Sequence, residues 1–521
     1  MPASSPKANH QIPELSAIRE TAQSFIRLTG MGSQPKLSLP IDAPCLTIID
    51  QLCAWSFSPE PLVAKTATSA IFGIIIETLC DDFSDHGVTV ANLALSRILQ
   101  FLRTRPEGAE LNRLLNDCGF KDAADLLKRY QRIRQALPLT PEQTNSVKKI
   151  LILSRVTAGA DIAITSVIIH RLRQRFTEAE LVLIGPGHLA EVFASVDHCR
   201  HRNFLYKNDG SLFEKMSSWP RLREVTQDEQ QGYRPEEILL FDPDTRLSQL
   251  GLLPLAPDDR TCYFPSRASH ADHQAGLNLS SLTNQWLNHL LSEDLAWRPS
   301  VIFQPQGLDC QAFCQALHHQ GCHQVVAINF GVGNDPRKKV HGSFEADLIQ
   351  ALLSRANTIV ILDTGRSRHQ GQWLANHLAK ARAKNFPVLH LGDSVQSLLD
   401  KDSIQAPLLS GQNPESTAGA LAFCHGLIIF SGSLGSLGKM IDAADCFIGY
   451  DSCGQHLAAA TSTPSIIVFA GAPSTRFIHR WSPDVLGTLT IPFDSSTATP
   501  QEIHALIKDI CQAVEATRPK T

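Results

Sequence analysis

The densest concentration of chemistry in the chain is Asp451, Ser452, Cys453, Gly454, Gln455 and His456. These residues follow a short apolar run, Cys446 to Tyr450, that reads as a buried strand. They lead into Leu457, Ala458, Ala459 and Ala460, which read as a helix. A second apolar run, Ser465 to Phe469, ends at Ala470, Gly471, Ala472 and Pro473. A helix N-terminus presents unpaired backbone N–H groups and a partial positive charge. Ser452 and Gly454 let a phosphate come close to those groups. The spacing therefore points to an anion site of the kind that holds a nucleotide diphosphate. His456 reads either as part of that site or as a core histidine with its ring nitrogens satisfied.

Three further stretches carry chemistry. Ser154 to Ser166 places Ala158, Gly159, Ala160 and Asp161 after an apolar strand and ahead of an apolar helix. In an open α/β sheet the carboxyl ends of the strands face the ligand crevice. Asp161 is thus either a helix N-cap or a general base at a cleft. Asn329 to Val340 opens from a strand into a loop with Gly331 and Gly333, then three cations, Arg337, Lys338 and Lys339. Such a loop clamps a diphosphate through backbone N–H groups and charge, or is simply a solvated basic turn. Asp242, Asp244 and Arg246 follow another strand, where turn chemistry and an acceptor-side site explain them equally. Cys310, Cys314, His318, His319, Cys322 and His323 have partial metal-like spacing. Asp309 to Gln320 reads as a helix, however, which puts Cys310 and Cys314 on one apolar face, so no metal site is expected.

The wording of these turns resembles glycosyltransferase family 9, the ADP-heptose:lipopolysaccharide heptosyltransferases and their relatives. The resemblance is carried by Asp451, Ser452, Gly454, His456 and the alanines after it, with Thr463, Pro464 and a Phe-Ala-Gly strand end, Phe469 to Gly471. Ser431 to Asp445 is similar to the family's stretch before the nucleotide turn. The loop at Asp161 is similar to its first loop, with Ala160 in place of a glycine. The basic loop lacks the family's tryptophan, which leaves the donor lysine as Lys338 or Lys339. The resemblance implies a GT-B fold and no bound metal or other cofactor. It implies a donor site of Lys338 or Lys339, Asp451, Ser452, Gly454 and His456. It also implies that Asp161 takes the proton from the acceptor hydroxyl. The acidic residue that holds the nucleoside would be Asp363 or Glu415, which leaves the base open, with an ADP-sugar favoured. The implied reaction is inverting transfer of a heptose-like sugar to a glycan, such as lipopolysaccharide, or to a protein. A catalytically inactive nucleotide-sugar-binding or regulatory protein on the same fold is the alternative, motivated by Ala160, Cys453 and the missing tryptophan.

Around these stretches the chain divides by periodicity. Residues 1–147 read as a helical domain, with apolar spacing near 3.6 from Ala91 to Leu102 and from Ala123 to Tyr130. Residues 148–297 read as a Rossmann-like acceptor-side domain, with strands at Ile150–Ser154, Leu181–Ile184, Ile238–Phe241 and Cys262–Phe264. Residues 298–485 read as a Rossmann-like nucleotide-sugar domain, with strands beginning at Val301, Val325, Thr358, Val388, Leu427, Cys446 and Ile466. Residues 486–521 form a closing segment with a helix from Pro500. Short apolar strands alternating with helices argue for parallel sheets, hence an α/β class with an added helical domain. The 521 residues carry a formal net charge of −4, which does not suggest a nucleic-acid binder. The most apolar run, Ala70 to Ile76, is shorter than the ~20 residues of a membrane span, which leaves only peripheral membrane contact open. No signal peptide is visible, and 13 cysteines without framework spacing fit a reduced, cytoplasmic protein.

Overall fold

The structure, a computed structural model, describes residues 13–30, 43–135, 137–193, 195–268, 276–303, 307–333, 335–364, 387–392, 424–483 and 485–517. Glu415 lies outside the described residues. The described part before Lys149 is helical, and two parallel βα series follow it, giving an α/β, GT-B-like fold with an N-terminal helical addition. The chain forms two compact units, Met1–Leu137 with Leu205–Ala275, and Pro138–Phe204 with Gly276–Thr521. This division differs from boundaries at 147 and 297. The segment expected as one acceptor-side domain is shared between the units, because helical spacing in sequence does not reveal which distant segment a helix will cover.

In the first unit the helix Ala123–Ile133 shows why. Its apolar face buries Leu126, Tyr130 and Ile133, and the buried Arg129 lies on the same side. Tyr130 packs edge-on against Tyr263, with ring centroids 5.7 Å apart. Arg129 pairs with Asp258 at 2.8 Å and donates to the Gly251 carbonyl at 2.5 Å, so its buried charge is compensated. The unit also holds the parallel strands β4 (Ile238–Asp242) and β5 (Thr261–Tyr263). One continuous helix, Pro61–Asp81, is long and apolar enough to cross a membrane, a length that its Ala70–Ile76 centre alone does not suggest. Half of its apolar window is buried, and Val63, Ala67, Ile71, Ile75 and Leu79 belong to the core of this unit.

The second unit contains β1 (Lys149–Leu153), β2 (Glu180–Gly185) and β3 (Cys199–Asn203), parallel with β2 in the middle. It also contains a seven-stranded parallel sheet. Its strands are β6 (Gln324–Asn329), β7 (Thr358–Asp363), β8 (Val388–Gly392), β9 (Gly426–Ser431), β10 (Cys446–Tyr450), β11 (Ser465–Ala470) and β12 (Thr488–Phe493). The order β12-β11-β10-β6-β7-β9-β8 puts β6 and β10 side by side at the centre. Residues Val325 to Ile328 of β6 and the whole of β10 are buried, as strands covered by helices on both faces must be. The closing helix Pro500–Ala516 lays Leu506, Ile507, Ile510 and Val514 into the same core as Phe344, Leu348 and Leu352 of the helix Phe344–Leu353. Val301 to Phe303 forms no strand. Only Ile302 makes a bridge, to Phe193.

Candidate active site

A cavity of about 710 Å³ opens in the second unit at the carboxyl ends of β1, β2, β6, β7 and β10. Thr157 to Ala160, His188 and Glu191 line it from the β1–β2 side. Asn329, Lys338, Asp363, Asp451, Ser452, Cys453, His456 and Trp481 line it from the seven-stranded sheet.

The helix Cys453–Ala460 starts at this cavity with Ser452 at its N-cap position. Ser452 makes no capping bond, and its hydroxyl oxygen is buried without a partner among the described residues. A buried hydroxyl at a helix N-terminus normally finds a partner, so this one is suited to an anion that the helix end also attracts. Gly454 permits the packing beneath: a Cβ there would stand 2.5 Å from the Phe447 ring. Gly159 is needed on the facing turn, where a Cβ would stand 3.0 Å from His456 and 3.3 Å from Cys453. His456 is buried and edge-on to Trp481, with ring centroids 5.7 Å apart. Desolvation pulls its pKa down to about 4, against the attraction of Asp451.

Lys338 and Lys339 diverge. Lys338 reaches the cavity, where Nζ lies 2.5 Å from Asp451 Oδ2, and Gln455 donates to Asp451 Oδ1 at 2.8 Å. Lys339 turns to Glu345 at 3.1 Å and does not line the cavity. Asp363 lies at its floor and accepts from Asn329 at 2.5 Å. Glu191 accepts from the backbone of Leu434 at 2.7 Å and of Gly435 at 3.2 Å, which places a carboxylate on the N-terminus of the helix Leu434–Ala443.

Asp161 is not the helix N-cap, a place that Thr157 takes. The helix begins at Ala158, and Asp161 opens a π-helical turn, Asp161–Thr165. Its side chain is fully buried. Oδ1 accepts from the Arg155 amide at 2.7 Å and Thr165 Oγ1 at 2.9 Å. Oδ2 accepts from Ser154 Oγ at 2.7 Å and faces His188 Nε2 at 3.1 Å. The loop that delivers these donors holds Val156 at φ 74°, a strained geometry for a β-branched residue and one that clusters at functional sites. Of the groups around Asp161, His188 is the side chain that reaches the cavity, being 21% exposed. Sequence reasoning passed over His188 and Glu191. Their signal was positional: both follow Gly185-Pro186-Gly187 at the carboxyl end of β2.

Asp242, Asp244 and Arg246 do not line this cavity. They serve the first unit. Asp244 is buried against Arg267 at 2.9 Å, Tyr263 Oη at 2.7 Å and Ser266 Oγ at 3.0 Å. Arg246 pairs with Glu77 at 2.8 Å. Asp242 ends β4 and accepts from the Thr245 amide, and its burial pushes the carboxyl pKa up to about 6. Cys310 and Cys314 are buried on one face of their helix. Among the described residues no group of three or more His, Cys, Asp or Glu could hold a metal ion.

Residues 373–489 match the model of glycosyltransferase family 9 (heptosyltransferase). The matched stretch includes the helix Leu434–Ala443 and the turn at 451–456. No curated protein matches the chain. Among solved structures, the chain is similar to a glycosyltransferase family 9 protein from Veillonella parvula DSM 2008. That pair has 12% identity and a TM-score of 0.47, covering 74% of this chain and 100% of that one. It is similar to the ADP-heptose lipopolysaccharide heptosyltransferase II of E. coli at 13% identity and a TM-score of 0.43, over 70% and 98%. It is also similar to E. coli heptosyltransferase WaaC with ADP, at 12% identity and a TM-score of 0.43, over 70% and 99%.

Proposed function

We propose that this chain is a glycosyltransferase that moves a heptose-like sugar from a nucleotide-diphosphate donor to a glycan or protein acceptor, with inversion and without a metal. The observation that carries the reading is the convergence at one cavity of Lys338, the helix end at Cys453 and the unpartnered Ser452 hydroxyl. A diphosphate would satisfy the hydroxyl and the helix end together, and its charge suits Lys338. The family match over 373–489 supports sugar transfer, and its heptosyltransferase description favours an ADP-sugar. In the absence of a metal, Lys338 and the backbone amides would carry the leaving-group charge. A cytoplasmic location is part of the proposal, as the compartment in which the thiols stay reduced.

A nucleotide-sugar-binding protein without turnover is the second reading. It is favoured by the sealed Asp161 carboxylate, which cannot meet an acceptor where it stands. A thermal-shift screen with ADP-, GDP- and UDP-sugars tests the donor site, since a ligand bound only by the folded state raises the melting temperature. Nucleotide release on adding acceptor separates enzyme from binder. No shift with any nucleotide diphosphate would reject both readings.

A further inference from the structure

We infer that Glu191 is a specificity residue of the cavity: it fills the helix end toward which the donor's nucleoside lies, and so turns away nucleotides that carry a phosphate on the ribose. The inference rests on the nucleotide-diphosphate reading of the donor site. Two helices of the seven-stranded half begin at the cavity, and the N-terminus of each attracts anions. The two ends are not equivalent. In the helix Leu434–Ala443 the first three amides are taken. Leu434 and Gly435 donate to Glu191 Oε2, and Ser436 donates to the Ser433 hydroxyl at 3.1 Å. The seat is also close-fitting, since a Cβ on Gly435 would stand 2.9 Å from the Glu191 carbonyl oxygen. In the helix Cys453–Ala460 the Ser452 side chain makes no capping bond. There the Cys453 thiol, a weak acceptor, lies against the amides of Cys453 and Gly454. A phosphate displaces a thiol from such amides readily. To share amides with a carboxylate it must stand beside a like charge, which is costly.

The sheet beneath has the same polarity. Its central strands run β10-β6-β7-β9. The open helix end follows β10, and Lys338 follows β6. Asp363 ends β7, and the filled helix end follows β9. On the first side Asp451 is balanced by Lys338. On the second side Asp363 and Glu191 accept from neutral donors, the Asn329 side chain and the backbone, and so add negative charge there. This gradient gives a donor one direction. Its diphosphate goes to the helix end at Cys453. Its uncharged nucleoside lies toward Asp363 and Glu191, whose carboxylates can accept from ribose hydroxyls or a base amine. A phosphate added at the 2′ or 3′ hydroxyl would face both carboxylates, and rejection by misplaced charge is an effective route to specificity.

The test is calorimetric titration of the full-length chain with three probes: ADP, ADP bearing a further phosphate at the ribose 2′ or 3′ position, and inorganic pyrophosphate. Wild type should bind ADP and one equivalent of pyrophosphate in competition, and should prefer ADP over its ribose-phosphorylated forms by roughly 10- to 100-fold. Glu191→Ala should reduce that preference to about threefold or less and admit a second equivalent of pyrophosphate at the vacated amides, lost again at high salt. Glu191→Gln keeps an oxygen for the amides but no charge. It should cut the preference while still taking one equivalent, and it keeps the test decisive if Glu191→Ala does not fold. A carboxylate that only caps the helix would lower the melting temperature of Glu191→Ala and leave preference and stoichiometry unmoved, which would overturn the inference. Equal affinity of wild type for ADP and its ribose-phosphorylated forms would overturn it too. A wild type that binds neither ADP nor pyrophosphate would instead bring down the donor-site reading, and this inference with it.

Discussion

Lys338 and Lys339 are adjacent in sequence and differ in what they can do. One carboxylate, Asp451, holds Lys338 at the cavity, and another, Glu345, draws Lys339 away. Lys338→Ala is expected to weaken nucleotide-diphosphate binding about 10- to 150-fold, the range for a hydrogen bond to a charged group. Lys339→Ala should leave it unchanged, and calorimetry with ADP and UDP reads both. His456 supplies a pH signature. Its folded-state pKa of about 4 lies below the ordinary value of 6.5. Stability from keeping it neutral is therefore complete above pH 6.5 and is lost as the pH falls toward 4. His456→Gln should flatten that decline, seen in urea midpoints across this window. The Asp451 turn was legible because its residue types are rare together. The lysine register was not, since side chains one residue apart are sorted by partners from Glu345 and Asp451, far apart in the chain. Asp161 was found by its place at a strand end; spacing does not say how many donors will surround it.

At the scale of elements, strands buried on both faces could be read from continuous apolar runs such as Thr358 to Leu362. The edge strands β3 and β12 could not. β3 consists of Cys199, Arg200, His201, Arg202 and Asn203, and β12 carries Pro492, so neither shows the pattern that burial imposes. Val301 to Phe303 had the composition of a strand but pairs only at Ile302, and Phe303 instead packs against Gly438, where a Cβ would stand 2.2 Å from its ring. The same close packing constrains the nucleotide turn. Gly454→Ala should lower stability by about 1–3 kcal/mol through overpacking against Phe447. Phe447→Leu should return part of that loss in the double variant, and chemical denaturation of the four proteins measures the coupling.

At the scale of the molecule, the first unit is built from two stretches that are not consecutive, Met1–Leu137 and Leu205–Ala275. A chain starting near Thr144, attractive from periodicity alone, would strip Tyr263, Gly251 and Asp258 of Tyr130, Arg129 and Arg132. The expected outcome is rapid proteolysis confined to 205–275, while the seven-stranded sheet, wholly within the second unit, stays resistant. Cleavage sites mapped by mass spectrometry would check it. The interrupted unit also bears on synthesis. A ribosome adds about 5–20 residues per second, so the N-terminal helices emerge on the order of ten seconds before Tyr263 and Asp258 exist to cover them. During that interval the apolar helix Pro61–Asp81 has only its helical neighbours for shelter. The nascent chain thus presents a sticky surface that the finished protein does not have, and its yield in the cell will depend on chaperone supply more than its final stability would suggest.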